Sequence, residues 1–124
     1  MTIAIDFDGT CVTHAYPEIG EDIGAVSVLE KLYQKGHLLI LNTMRCDKEL
    51  FDAINWFESH HIPLYATQKN PTQEKWTSSP KCYAQLYIDD AALGIPLLYY
   101  KKKSDRPFVD WLEVEEMLIE KGVL

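Results

Sequence analysis

The stretch Thr2-Ile3-Ala4-Ile5-Asp6-Phe7-Asp8-Gly9-Thr10 decides the fold. A short apolar run closed by acidic residues and a glycine reads as a buried strand that delivers Asp6 and Asp8 at its carboxyl end. Two carboxylates with one residue between them point to one face only while the chain keeps its pleat, and Gly9 permits the turn that follows.

Outward from that strand, apolar periodicity alternates between short runs and helical spacing. Ile23 to Gln34 carries Ala25, Val26, Leu29, Leu32 and Tyr33 at helical intervals, and Gly36 stands where a helix needs a left-handed stop. His37 to Asn42 contains the apolar run Leu38-Leu39-Ile40-Leu41, a second buried strand ending in Thr43-Met44-Arg45. Asp47 is placed to cap a helix with Leu50, Phe51, Ile54 and Phe57 on one face, ending near His60-His61, whose position suits dipole compensation. Ile62 to Ala66 reads as a third strand, and the polar, proline-bearing segment Gln68 to Pro80 as a loop or frayed turn. Ala84 to Ile88 is a fourth strand running into Asp89-Asp90. Pro96 to Tyr100 is an edge strand followed by Lys101-Lys102-Lys103. Asp110 caps a last helix through Glu120, with Trp111, Val114, Met117 and Leu118 inward and Gly122 as its stop.

This order is that of an α/β fold: a three-layer, doubly wound, mostly parallel, Rossmann-like sheet formed by residues 1–124 as one domain. In such sheets ligands bind beyond the carboxyl ends of the strands, at the switch point of strand order. Three of those ends carry unusual polar residues: Asp6/Asp8, Thr43/Arg45 and Asp89/Asp90.

Composition narrows the function classes. With 124 residues, 47% hydrophobic and 25% charged, the chain is an ordinary folded globule with room for one active site. A formal charge of −7 argues against broad binding to nucleic acid or anionic membrane, which needs a basic face. Cys11, Cys46 and Cys82 form no C-x-x-C pair, so neither a disulfide framework nor structural zinc is expected. The start of the chain has no basic region followed by a cleavable apolar stretch, which points to the cytoplasm.

Four carboxylates converge if the first and fourth strands are neighbours. Packed together without a cation they repel one another and take up protons, so the arrangement calls for a divalent metal, and hard oxygen donors favour Mg²⁺ over zinc. A carboxylate-held metal suits phosphoryl transfer, because it neutralises phosphate charge and lets an anionic nucleophile approach. An aspartate is then able to form an acyl phosphate while a second carboxyl moves the proton.

The run Asp6-Phe7-Asp8-Gly9-Thr10, then Thr43 after an apolar strand, then Lys81, then Asp89-Asp90 after another strand, resembles the haloacid dehalogenase (HAD) superfamily over roughly Thr2 to Tyr100. The resemblance implies Asp6 as nucleophile and Asp8 as general acid/base, with the Asp8 backbone carbonyl also on the metal. It implies that Thr43 hydrogen-bonds the transferring phosphoryl group and that Lys81, rather than Lys69 or Lys75, pairs with its charge. Asp89 and Asp90 complete the Mg²⁺ site, and Thr10 supports the first turn. Phe7, Gly9, Thr10, Met44 and Arg45 are expected around the substrate, although Arg45 suits either a phosphate or a surface carboxylate. His14, Tyr16 and Pro17 fall where the family has a flap over the site; Cys11 and Cys46 are bystanders without an activating base.

The gaps between these motifs leave no room for a cap domain. The expectation is therefore an uncapped, Mg²⁺-dependent phosphatase for a small phosphorylated substrate, with specificity left to the flap, to the Gln68–Pro80 loop with its Trp76, or to a neighbouring copy in a homo-oligomer. The competing readings are a phosphotransferase of the same fold, a non-catalytic module, and a phospho-accepting signalling domain. The last should carry its acidic pair after strand one and a lone aspartate after a middle strand, the reverse of the order here.

Overall fold

Ile3, Ala4 and Ile5 are almost completely buried because the strand they form, β1 (Thr2–Ile5), lies inside a four-stranded parallel sheet. The computed structural model describes residues 1–124. In chain order the elements are β1, α1 (Ala25–Gln34), β2 (Leu38–Leu41), α2 (Asp47–Ser59), β3 (Ala66–Thr67), a 3₁₀ turn (Gln73–Lys75), β4 (Leu86–Ile88), β5 (Leu97–Leu98), β6 (Phe108–Val109) and α3 (Trp111–Glu120). The sheet order is β3-β2-β1-β4, so the chain winds outward through three strands and then returns to the other side of β1. That return is a switch point, and it makes β1 and β4 neighbours, with Ile5 opposite Ile88.

Strand alternation sorts the core into two unequal faces. Ile3, Ile5, Leu39 and Leu41 join the buried residues of all three helices in one cluster, whereas Ala4, Ile40 and Cys82 form a small second cluster on the opposite face. All three helices thus cover one face. The segment between β3 and β4, with only its 3₁₀ turn, lies with the small residues of the other, so a full third layer of helices is absent. Small side chains such as Ala4, Ala66 and Ala84 suit that cover, because they leave little apolar area for a helix to bury.

Several local expectations shift in the structure. Strand three is Ala66–Thr67, later than Ile62–Ala66, and Leu97–Leu98 pairs antiparallel with Phe108–Val109 in a separate hairpin instead of edging the main sheet. Helix α2 keeps Leu50, Ile54 and Phe57 against the core as expected and buries Ala53 and Trp56 beside them, while Phe51 is exposed. Its N-cap is Cys46, not Asp47, which occupies the first turn with φ +51°. In α3, Met117 is partly exposed, while Asp110 caps as expected, accepting from Leu112 N and Glu113 N. Gly36 and Gly122 take the left-handed stops read from the sequence, with φ +89° and +73°. No helix is long and apolar enough to cross a membrane.

Candidate functional site

Because β1 and β4 are adjacent and parallel, the first residues past their carboxyl ends meet. Asp6 N donates to Ile88 O at 2.9 Å, continuing the ladder one step beyond the strands. Carboxylate oxygens of Asp6, Asp89 and Asp90 consequently lie within 4.8 Å of one another. Burial, reinforced by the charges of Asp89 and Asp90, pushes the Asp6 carboxyl up to about 7, against the opposing hydrogen bond from Thr10. Three crowded oxygen donors fit a small hard cation such as Mg²⁺.

Thr10 is fully buried and fixes this corner. Its hydroxyl donates to Asp6 Oδ2 at 2.7 Å and accepts from Asp90 N at 2.9 Å, bridging the two motifs. Trp111 Nε1 in turn donates to Thr10 O at 2.6 Å, which ties α3 to the same turn. Thr10 therefore positions carboxylates and does not face a substrate.

Asp8 is not part of that trio and is bound by Arg45. The guanidinium grips Asp8 with Nε to Oδ2 at 2.7 Å and Nη2 to Oδ1 at 2.8 Å. Its other donors reach Pro17 O at 3.1 Å, Glu18 O at 2.6 Å and Glu49 O at 3.3 Å. An arginine has five N–H donors, and here the chain uses all five. Arg45 is 1% exposed and lies between the rings of Phe7 and Tyr16, each 5.1 Å from its central carbon. Of the alternatives open for Arg45, the structure selects the carboxylate partner, and that partner is Asp8. The Asp8 side chain is thereby taken out of the metal-facing group, leaving only its backbone carbonyl for that role.

Two other residues expected around a substrate have different roles. Phe7 is fully buried, edge-on to Trp56 at 5.5 Å and tilted against Phe57, so its side chain belongs to the core. Gly9 has φ +77°, and a Cβ there would stand 2.1 Å from His14 Nε2 and 2.7 Å from Asp90 Oδ2. The glycine makes room for His14, which approaches Asp90 Oδ2 to 3.2 Å but without hydrogen-bond geometry, leaving its buried Nε2 unpartnered.

Thr43 and Met44 do face the cleft, Met44 with nearly its whole side chain exposed. Their loop is braced by Gln68, whose Oε1 accepts from Thr43 N at 2.8 Å and whose Nε2 donates to Thr43 O at 2.6 Å and Arg45 O at 3.2 Å. Gln68 has φ +67°, a left-handed conformation that those three bonds hold in place. The sequence marked Gln68 only as the start of the Gln68–Pro80 loop; its position directly after β3 is the signal that could have singled it out.

Asp6, Asp8, Thr43, Met44, Arg45, Asp89 and Asp90 line one cleft of about 560 Å³, together with His14, Tyr16, Ala91 and Arg106. Lys81 is not brought there. It precedes β4, at the end of the strand opposite Asp89, with its Nζ over the Tyr87 ring at 5.5 Å in a separate aromatic cleft shared with Trp76 and Tyr83. Lys69 Nζ lies 3.5 Å from Glu74 instead. Arg106, unmarked in the sequence, arrives through the β5–β6 hairpin, which docks by Val109 N on Gly9 O at 3.0 Å.

Neither a protein-family model nor a curated protein matches the chain. Among solved structures it is similar to a conserved protein coded by a locus of Bacteroides thetaiotaomicron, at 41% identity over 98% of this chain and 91% of that one, with a TM-score of 0.80.

Proposed function

We propose, for a chain that belongs to the same family as the conserved Bacteroides thetaiotaomicron protein, that the cleft is the active site of an uncapped, HAD-type phosphomonoester hydrolase dependent on Mg²⁺. One observation carries this reading. Asp6, Asp89 and Asp90 crowd their carboxylates at the switch point of a parallel sheet, with Thr43 on the same cleft. Three carboxylates so close are costly without a cation, and a cation there faces open space wide enough for a small phosphorylated metabolite.

Asp6, Asp89 and Asp90, with the Asp8 backbone carbonyl, would hold Mg²⁺, which would offset the charge of an entering phosphoryl group. An Asp6 oxygen attacks phosphorus, the ester P–O bond breaks, and the departing alcohol oxygen takes the proton of the Asp8 carboxyl. Water then attacks the aspartyl phosphate and returns a proton to Asp8, and orthophosphate leaves Asp6 regenerated. Thr43 donates to the transferring phosphoryl. In the resting arrangement both Asp8 oxygens accept from Arg45, so its turn as acid requires one of those bonds to be given up and that oxygen to take a proton from solvent as substrate enters.

Between Asp8 and Thr43 the chain holds one helix and one strand, and between Thr43 and Lys81 one helix, a two-residue strand and a 3₁₀ turn. Such short inserts support an open site whose walls are the 14–18 segment and the β5–β6 loop. The test is hydrolysis of p-nitrophenyl phosphate with and without Mg²⁺. Turnover that requires the metal and disappears in Asp6→Asn is expected, and equal activity in that variant overturns the assignment. An acid-labile phosphoryl adduct that forms without turnover would favour a phospho-accepting regulator instead.

A further inference from the structure

The cleft contains two arginines in opposite situations. Arg45 is buried with every donor engaged by the chain, whereas the Arg106 guanidinium makes no hydrogen bond and no ion pair. Its backbone, by contrast, is anchored: Arg106 N donates to Ser104 Oγ at 3.3 Å, and three residues on, Val109 N donates to Gly9 O at 3.0 Å. The hairpin thus holds a free guanidinium beside the Asp8-Gly9 turn.

Charge gives that position a consequence. Asp6, Asp8, Asp89 and Asp90 all border the cleft. Arg45 offsets Asp8, and a divalent ion on the other three still leaves a negative field for a phosphoryl dianion to enter. No lysine lines this cleft, since Lys81 lies over Tyr87 and Lys69 lies beside Glu74. Arg106 is the one cation there whose donors are unspent, and its planar fork matches two phosphoryl oxygens. Resting on the phosphatase reading of the cleft, we propose that Arg106 binds the non-bridging oxygens of the substrate's transferring phosphoryl group, a binding role supplied from the β5–β6 loop.

The experiment compares wild type, Arg106→Ala and Arg106→Lys in p-nitrophenyl phosphate hydrolysis and in calorimetric titration with orthophosphate, both with Mg²⁺. Loss of a charge-assisted pair should raise KM and weaken orthophosphate binding together, by roughly 10- to 100-fold, with a much smaller change in kcat. Lysine, a point charge without the fork, should recover only part of the affinity. The melting temperature should stay near the wild-type value, because the guanidinium makes no hydrogen bond and no ion pair. Unchanged KM and orthophosphate affinity in Arg106→Ala, in a wild type that turns over, overturns the proposal and leaves the phosphatase reading intact. Orthophosphate binding that depends on Arg106 in a protein without turnover would sustain the anion site and defeat the phosphatase reading.

Discussion

Arg45 holds Asp8 through two parallel N–H···O bonds, and the same guanidinium ties down Pro17 and Glu18 on one side and Glu49 of α2 on the other. The residue therefore joins the first motif, the segment over the cleft and the helix after β2. Removing it strands a half-buried carboxylate and three backbone carbonyls. Arg45→Ala should lose about 3–5 kcal/mol of unfolding free energy, measured from the urea midpoint. Arg45→Lys should fall well short of wild type, because one ammonium cannot serve five separated acceptors. A lysine variant as stable as wild type would show that charge alone matters there.

Gly9 faces two separate obstacles to substitution, its left-handed backbone and the nearness of His14. Gly9→Ala should cost about 1–3 kcal/mol from the backbone strain alone, with the steric clash added. His14→Ala in the Gly9→Ala background should recover the His14 part of the clash and leave the backbone strain and the 2.7 Å approach to Asp90 Oδ2. A double-mutant cycle on thermal unfolding reads the difference, and strict additivity would mean that His14 does not fill the space.

The Asp6 carboxyl is pushed up to about 7 in the folded protein, above the unfolded carboxylate value of about 4. The folded state then holds the proton more tightly, so this contribution to stability is full below about pH 4 and is lost as pH rises through about 7. In chelator-treated protein, unfolding free energy should fall across that window by on the order of 2–4 kcal/mol from this group, and Asp6→Asn should remove that share of the slope. On the proposed function the same proton would compete with Mg²⁺, so metal affinity should weaken as pH falls below about 7. Identical pH slopes for wild type and Asp6→Asn would show that the carboxyl is unperturbed.

Gln68 satisfies both backbone groups of Thr43 from a left-handed position. Gln68→Gly relieves the backbone but loses three hydrogen bonds, so on the proposed phosphatase function kcat should drop while stability changes by only about 1–2 kcal/mol. Wild-type kcat in that variant would show that the Thr43 loop needs no brace.

Much of the site was legible because the residues after β1 and β4 announce themselves by chemistry. An acidic pair and glycine behind an apolar run, and a second acidic pair behind another, are local patterns, and Asp110 as a helix cap or Gly36 as a stop are likewise read from immediate neighbours. Elements whose identity depends on partners were less readable. Leu97–Leu98 reads as an edge of the main sheet by composition, yet it pairs with Phe108–Val109, because two-residue strands are chosen by what lies beside them. Arg45 grips Asp8 37 positions away, Gln68 bonds Thr43 25 positions away and Trp111 bonds Thr10 101 positions away, and no local spacing encodes that.

By itself, then, the sequence determined the strand ends that carry aspartates and the helix stops, since each follows from short-range sterics, capping and periodicity. Only the tertiary structure decided that β1 and β4 are neighbours, that Asp8 belongs to Arg45, that Lys81 lies away from the cleft and that Arg106 enters it. Strand order and side-chain partnership are outcomes of packing the whole chain at once, where the burial of one face and the pairing of each buried charge are settled together.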